Sequence, residues 1–247
     1  MVNIKINGIE YAVEEGTTIL EACRQNGIRI PTLCWLKDIN AIGACRICVV
    51  EMTGARSLVA SCVYPLSKFD EGKNILTHSP AVLQSRKMTL QLLLSDHNMD
   101  CLACSRNGSC ELQELCKELG VDDTTFFEGE KNEYDIDYSS KHMFRDNNKC
   151  IHCRRCIAAC DKLQGIGVIG ANNRGFKTSI DCAFDLDLAE TACVSCGQCI
   201  TACPTGALAE KDDTDKVWDA LADPEKVVVV QTAPAVRASL GEAFGYP

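Results

Sequence analysis

Two copies of one cysteine spacing decide what the middle of this chain can fold into. Cys150, Cys153, Cys156 and Cys160, and then Cys193, Cys196, Cys199 and Cys203, each follow C-x2-C-x2-C-x3-C, and the second copy ends in Cys203-Pro204. Three thiolates on one tight loop take three corners of a [4Fe–4S] cube, and the fourth cysteine, just past the loop, reaches the other cube. The spacing therefore assigns Cys150, Cys153, Cys156 and Cys203 to one cluster, and Cys193, Cys196, Cys199 and Cys160 to a second. Two clusters held by one small fold lie close together, which suits passage of single electrons.

Composition bears on the compartment. The 247 residues include 18 cysteines. A disulfide scaffold this rich would normally be short and exported. The chain instead opens with MVNIKINGIEYAVEEG, which alternates polar and apolar residues and has no basic n-region, apolar h-region or twin-arginine leader. No apolar run approaches the roughly 18 residues that span a bilayer. The expectation is a cytoplasmic protein whose cysteines serve as metal thiolates, with no membrane partner. A net charge of −9, with Lys and Arg scattered, argues against nucleic acid as a partner.

Residues 2–14 predict a hairpin, because VNIKI and IEYAV flank the turn dipeptide Asn7-Gly8. Thr18 and Glu21 form a capping box that opens a helix closed by Gly27, with Ile19, Leu20 and Cys23 on one face. Strand, strand, helix is how a β-grasp begins, and 47–53 and 57–63 are expected to add strands. Cys34, Cys45, Cys48 and Cys62 lie in this unit with spacing C-x10-C-x2-C-x13-C, beside the small residues Gly43 and Ala44. Four thiolates around a loop on such a sheet suggest a [2Fe–2S] site, although the spacing departs from the plant-type pattern. A structural zinc in the same four cysteines is the alternative.

Ser79-Pro80 starts a helix through AVLQSRKMTLQLLLSD. His97, Cys101, Cys104 and Cys110 follow as H-x3-C-x2-C-x5-C. On their own they suit zinc or a [4Fe–4S] cluster equally; their place between the other candidates favours iron–sulfur. A neutral imidazole in place of a thiolate raises a cluster's potential, as in Rieske centres. Cys116 shares a helical face with Leu112, Leu115 and Leu119 and is expected to pack rather than ligate, as is Cys23. Cys182 has no motif partner and is also assigned to packing. Residues 122–145 are expected to form a surface loop. His78 and His142 are expected in solvent. His152, Arg154 and Arg155 either tune the neighbouring cluster or face water.

Beyond Cys203-Pro204, Thr214 is expected to cap KVWDALAD, with Val217, Trp218 and Leu221 on one face. VVVVQ at 227–231 has the pattern of a strand buried on both faces, and AVRASLGEAF that of a helix. A lone strand and helix cannot build a core, so the chain is expected to be a fragment or to lack a larger domain.

The order of these cysteine motifs resembles the electron-input region of iron-only ([FeFe]) hydrogenases. The large iron–sulfur subunit of complex I and NAD-linked formate dehydrogenases are similar over the same region. VVVVQTAPAVRASLGEAFG resembles the start of the catalytic domain in NAD(P)-linked, multisubunit hydrogenases, including the electron-bifurcating type. The resemblance implies an α+β architecture in four parts: a β-grasp [2Fe–2S] ferredoxin domain (1–78), a small helical module with one histidine and three cysteines (79–121), a two-cluster [4Fe–4S] ferredoxin-like domain (122–210), and a linker with the opening strand and helix of an α/β catalytic domain (211–247). It implies one [2Fe–2S] and three [4Fe–4S] clusters, an oxidoreductase subunit, a flavin-bearing NAD(P)H-oxidising partner, a small thioredoxin-like [2Fe–2S] subunit, ferredoxin as a further electron partner, and a hetero-oligomer. The family's hydrogen-activating cluster needs cysteines that follow this segment, and none occurs after Cys203. That cluster is therefore expected only in a domain beyond these residues. The competing expectations are a relay subunit of a formate dehydrogenase or complex I-like enzyme, and a zinc-stabilised interaction module.

Overall fold

The structure is a computed structural model that describes residues 1–122, 127 and 129–246. It divides into two compact units, Met1–Glu210 and Lys211–Pro247. In the first, strands β1 (Val2–Ile6) and β2 (Ile9–Val13) pair antiparallel, Ile6 facing Ile9. Asn7 and Gly8 take φ values of 52° and 87°, as the type I′ turn between them requires. Helix α1 (Ile19–Gln25) starts with the expected capping box: the Glu21 amide donates to the Thr18 hydroxyl at 3.2 Å, and the Thr18 amide donates to the Glu21 carboxylate at 3.4 Å. Ile19, Leu20 and Cys23 are fully buried against Val2, Ile4 and Ile6. Cys23 is thus a core residue, and burial raises its thiol to about 11.

Strands β3 (Val49–Met52), β4 (Val59–Ala60) and β5 (Asn74–Leu76) complete a mixed sheet of order β2-β1-β5-β3-β4. Two strands are shorter than the sequence suggests. Cys48 and Cys62 sit just outside the ladder, where the chain leaves it and can turn sulfur toward sulfur. Strand β5 has only three residues and gives no periodic signal, yet it fills the centre of the sheet, parallel to β1 and antiparallel to β3.

Helix α2 (Pro80–Ser95) begins with the Ser79 hydroxyl accepting the Val82 amide at 3.4 Å and proline in the first turn. It packs with α3 (Glu111–Leu119) in a second core that also takes in Leu33, Cys34, Cys45, Ile47, Ile151 and Cys153. Ligand-bearing stretches far apart in sequence therefore share one core. Helix α3 ends at Gly120 in the left-handed conformation.

The expected surface loop over 122–145 is corrected in part. Residues 123–126 and 128 lie outside the described residues, and the stretch closes with strand β6 (Met143–Arg145). Its partner is β9 (Leu208–Glu210), so only a distant segment makes it a strand. Between them lie helix α4 (Arg155–Ala158), the antiparallel pair β7 (Ile169–Asn172) and β8 (Ser179–Cys182), and helix α5 (Gln198–Ala202). Arg145 is buried beneath them, ion-paired to Asp137 at 3.2 Å and Asp181 at 2.5 Å. It also donates to the Cys182 sulfur at 3.4 Å. Cys182 is fully buried in the third core, so it packs.

In the second unit, α6 (Thr214–Ala222) has Asp213 rather than Thr214 at its N-cap, and the Thr214 amide donates to the Asp212 carboxylate at 2.9 Å. Val217, Trp218 and Leu221 are exposed on it. The expected strand at 227–231 is not formed: Val227, Val229 and Val230 are 91%, 82% and 87% exposed. A strand needs a neighbour for its backbone, and the described residues of this unit supply none. The expected helix is present as α7 (Pro234–Ala243), with proline in its first turn. No described helix is long and apolar enough to cross a membrane. None of the 18 cysteines is joined in a disulfide.

Candidate metal centres

The first quartet lies at the inner end of the five-stranded sheet. Cys34, Cys45, Cys48 and Cys62 are at most 9% exposed, and their thiols lie within hydrogen-bond reach of one another. Acceptance first from Cys45 and then from Cys62 pulls the Cys34 thiol down, and acceptance from Cys62 pulls Cys48 down. Cys45 and Cys62, which donate in these contacts, are pushed up. Backbone amides of Ala44 and Cys45 also point at the Cys34 sulfur. The turn that aims them runs through Gly43 and Arg46, at φ values of 63° and 58°. Four crowded, buried sulfurs surrounded by amide donors suit a cationic, polynuclear core.

The second set surrounds a cavity of about 430 Å³, lined among others by His97, Cys101, Cys104, Cys110, Cys116 and Gly206. His97 is 8% exposed, and its Nδ1 is buried without a partner. Burial first, then the charge of Lys149, lowers the imidazole to about 4, so it is neutral and free to ligate at ordinary pH. An unsatisfied, neutral ring nitrogen beside three thiols is the donor set a metal group takes. Two features here are invisible in the spacing. Cys116 packs against the second core as expected but also lines this cavity, with burial raising it to about 11. Gly206 lies so close that a Cβ on it would collide with the Cys104 sulfur.

The tandem loops enclose two further cavities. One is lined by Cys150, Cys153, Cys156 and Cys203, the other by Cys160, Cys193, Cys196 and Cys199. Each loop turns through left-handed residues at matching places: His152 and Arg154 in the first (φ 52° and 60°), Ser195 and Gly197 in the second (53° and 74°). One consequence is an amide aimed at sulfur, from His152 to Cys150 at 3.4 Å. Burial pushes Cys153 and Cys199 up to about 12, and Cys150 and Cys156 up as well. Bare thiolates are therefore disfavoured here, and a cationic core would relieve them. Among the described residues, no three His, Cys, Asp or Glu side chains converge tightly enough for a single ion. The His97 set and the two tandem quartets ring cavities instead, which fits clusters better than zinc.

Side chains tie the sets together. The buried Asn40 amide donates to the Cys34 carbonyl at 2.7 Å and to the Cys153 carbonyl at 3.1 Å, joining the first quartet to the tandem loops. Arg155 makes a two-pronged contact with Glu111 at 2.6 and 2.9 Å, and the Glu111 amide donates to the Pro204 carbonyl at 3.0 Å. Arg155 is therefore a structural tie between α3 and α4, whereas Arg154 is exposed. His78 and His142 are exposed, but His152 is half-buried with Nε2 lacking a partner.

Comparison with known proteins follows the same division. Residues 1–79 match a 2Fe-2S iron-sulfur cluster binding domain, 86–125 the iron-sulfur binding region of NADH-ubiquinone oxidoreductase-G, and 149–207 a 4Fe-4S dicluster domain. The chain is 46% identical to the NADP-reducing hydrogenase subunit HndD of Solidesulfovibrio fructosivorans, over 99% of this chain and 42% of that protein. It is 34% identical to the NADH-ubiquinone oxidoreductase 75 kDa subunit of Reclinomonas americana, over 85% of this chain and 30% of that one. Thus the chain spans less than half the length of these relatives. A chain in the crystal structure of an NAD+-reducing [NiFe]-hydrogenase superposes with a TM-score of 0.78 at 28% identity, covering 85% of this chain and 87% of that one.

Proposed function

The chain carries the iron–sulfur region common to the NADP-reducing hydrogenase subunit and the 75 kDa subunit of NADH-ubiquinone oxidoreductase, and from that premise we propose that it is the electron relay of a cytoplasmic, NAD(P)-linked [FeFe] hydrogenase. Its relatives are oxidoreductase subunits. In this reading Cys34, Cys45, Cys48 and Cys62 hold a [2Fe–2S] cluster on a β-grasp domain (1–78). His97, Cys101, Cys104 and Cys110 hold a [4Fe–4S] cluster in the module 79–121. The two cross-over quartets hold two more in 122–210. The observation that carries it is the gathering of these donors into four separate sets within one compact unit.

Bound at these sites, iron–sulfur clusters supply one-electron transfer at tunable potential. The chain's own residues do the rest. Asn40 fixes the backbone of the first quartet against the first tandem loop, which favours direct exchange between those sites. Amides aimed at sulfur favour the negatively charged, reduced state. Cys196 is exposed while Cys160 and Cys199 are buried, so the second tandem loop offers an edge near the surface for electron exit.

By likeness to its relatives, the relay works in a hetero-oligomer, between a flavin-bearing NAD(P)H-oxidising subunit with a small thioredoxin-like [2Fe–2S] subunit and a hydrogen-activating domain. Electron bifurcation with ferredoxin belongs to the same proposal. The match to the hydrogenase subunit runs through 99% of the chain, against 85% for the 75 kDa subunit, and that difference favours hydrogenase over a complex I-like relay.

Metal analysis tests the relay. An anaerobically prepared chain should carry about fourteen iron and about fourteen acid-labile sulfide atoms; zinc without sulfide would defeat the proposal in favour of an interaction module. His97→Cys tests the imidazole ligand. The added thiolate charge should lower that cluster's potential in an electron paramagnetic resonance titration, and a spectrum in which no signal moves would count against His97 as a ligand.

A further inference from the structure

Helix α2 buries one row of side chains: Val82, Arg86, Leu90 and Leu94. Three are apolar, as a packed helix face demands. The fourth is a guanidinium only 1% exposed. A buried cation is tolerated when something nearby carries the opposite charge, and among the described residues no carboxylate lies within ion-pair distance of Arg86. Its Nη2 donates to the Val49 carbonyl at 2.8 Å, and its Nε is buried with no partner. The carboxylate whose field reaches it, Glu118, is already paired with Arg29 at 3.0 Å. Burial above all lowers the Arg86 guanidinium's pKa, and of the groups that oppose this shift the Cys48 sulfur, on the residue before Val49, acts more strongly than Glu118.

We infer that Arg86 is the buried countercharge of the Cys34, Cys45, Cys48 and Cys62 site and raises the reduction potential of the [2Fe–2S] group held there. The inference rests on the cluster reading of that quartet. Four thiolates outweigh the positive charge of a two-iron core, and each reduction adds one electron and no proton. A fixed cation sealed from water stabilises the more negative, reduced form, because solvent screens it little. This also explains an arginine in an otherwise apolar row: the charge is paired with the cofactor rather than with a side chain.

The test is a potentiometric titration of the complete protein, following the [2Fe–2S] signal by electron paramagnetic resonance in the parent, Arg86→Met and Arg86→Lys. Presence of that signal in the parent tests the cluster reading; its midpoint in the variants tests Arg86. Arg86→Met should retain the signal with the reduced-to-oxidised ratio at fixed potential lowered about tenfold, equivalent to about 59 mV for one electron. Arg86→Lys, which keeps the charge, should titrate close to the parent. A merely structural role would not separate the two variants. An unshifted midpoint in Arg86→Met, or an equal fall in both variants, overturns the inference. Should Arg86→Met fail to hold the cluster, Arg86→Lys decides: a parent-like midpoint supports the countercharge, and loss of the cluster there too overturns it.

Discussion

Cys203→Ala is expected to destroy the cluster of the 150–156 loop and leave that of the 193–199 loop in place, although Cys203 follows the second loop by only four residues. Cys203 lines the cavity of Cys150, Cys153 and Cys156, while Cys160 lines that of Cys193, Cys196 and Cys199. A four-thiolate cluster that loses a buried ligand is lost or degraded, so iron should fall by up to about four atoms per chain. The decisive comparison is spectral. Reduced Cys203→Ala should resemble Cys150→Ala and differ from Cys193→Ala, with Cys160→Ala showing the converse. If Cys203→Ala instead matched Cys193→Ala, each motif would hold its own cluster and the cross-over would be wrong.

Gly206→Val should remove the cluster at His97, Cys101, Cys104 and Cys110 without replacing any of its ligands. A Cβ at 206 meets the Cys104 sulfur head-on, with Lys149 and Arg106 side chains close behind. Arg106 is itself held by the Ile200 carbonyl at 2.6 Å, and Lys149 by Asp146 at 3.3 Å, so Cys104 must yield. Overpacking a tight contact ordinarily costs about 1–3 kcal/mol, which a unit of this size can absorb; displacing a ligand sulfur is not absorbed. The expected outcome is a folded chain with the same lost signal as His97→Ala and about four fewer irons. A full complement of iron in Gly206→Val would show that the cavity beside Gly206 does not hold the group.

How much of this was legible in the sequence depends on how far each constraint reaches along the chain. The turn at Asn7-Gly8, the caps at Thr18 and Ser79 and the tandem loops were legible, because the partners of each contact lie a few residues apart. The five-residue run VVVVQ misled, because its composition says only that it would suit a strand, not that a neighbouring strand exists. Strand β5 is too short to announce itself, and β6 depends on a partner more than sixty residues away. Cys116 was read as packing; its second contact, with the cavity of His97, depends on how α3 lies against the loop that carries Cys101 and Cys104.

The sequence by itself determined the local chemistry: which sulfurs and which imidazole can act as donors, and how they are spaced, since ligand geometry on a tight loop is a matter of a few covalent links. Only the tertiary structure decided what surrounds those donors. Asn40 against Cys153, Arg86 against Val49 and Gly206 under Cys104 bring together residues roughly forty to over one hundred positions apart. No pattern in the chain encodes such meetings, because they arise from how separately formed elements pack, and in a close-packed interior it is that packing which sets where a charge or a missing side chain falls.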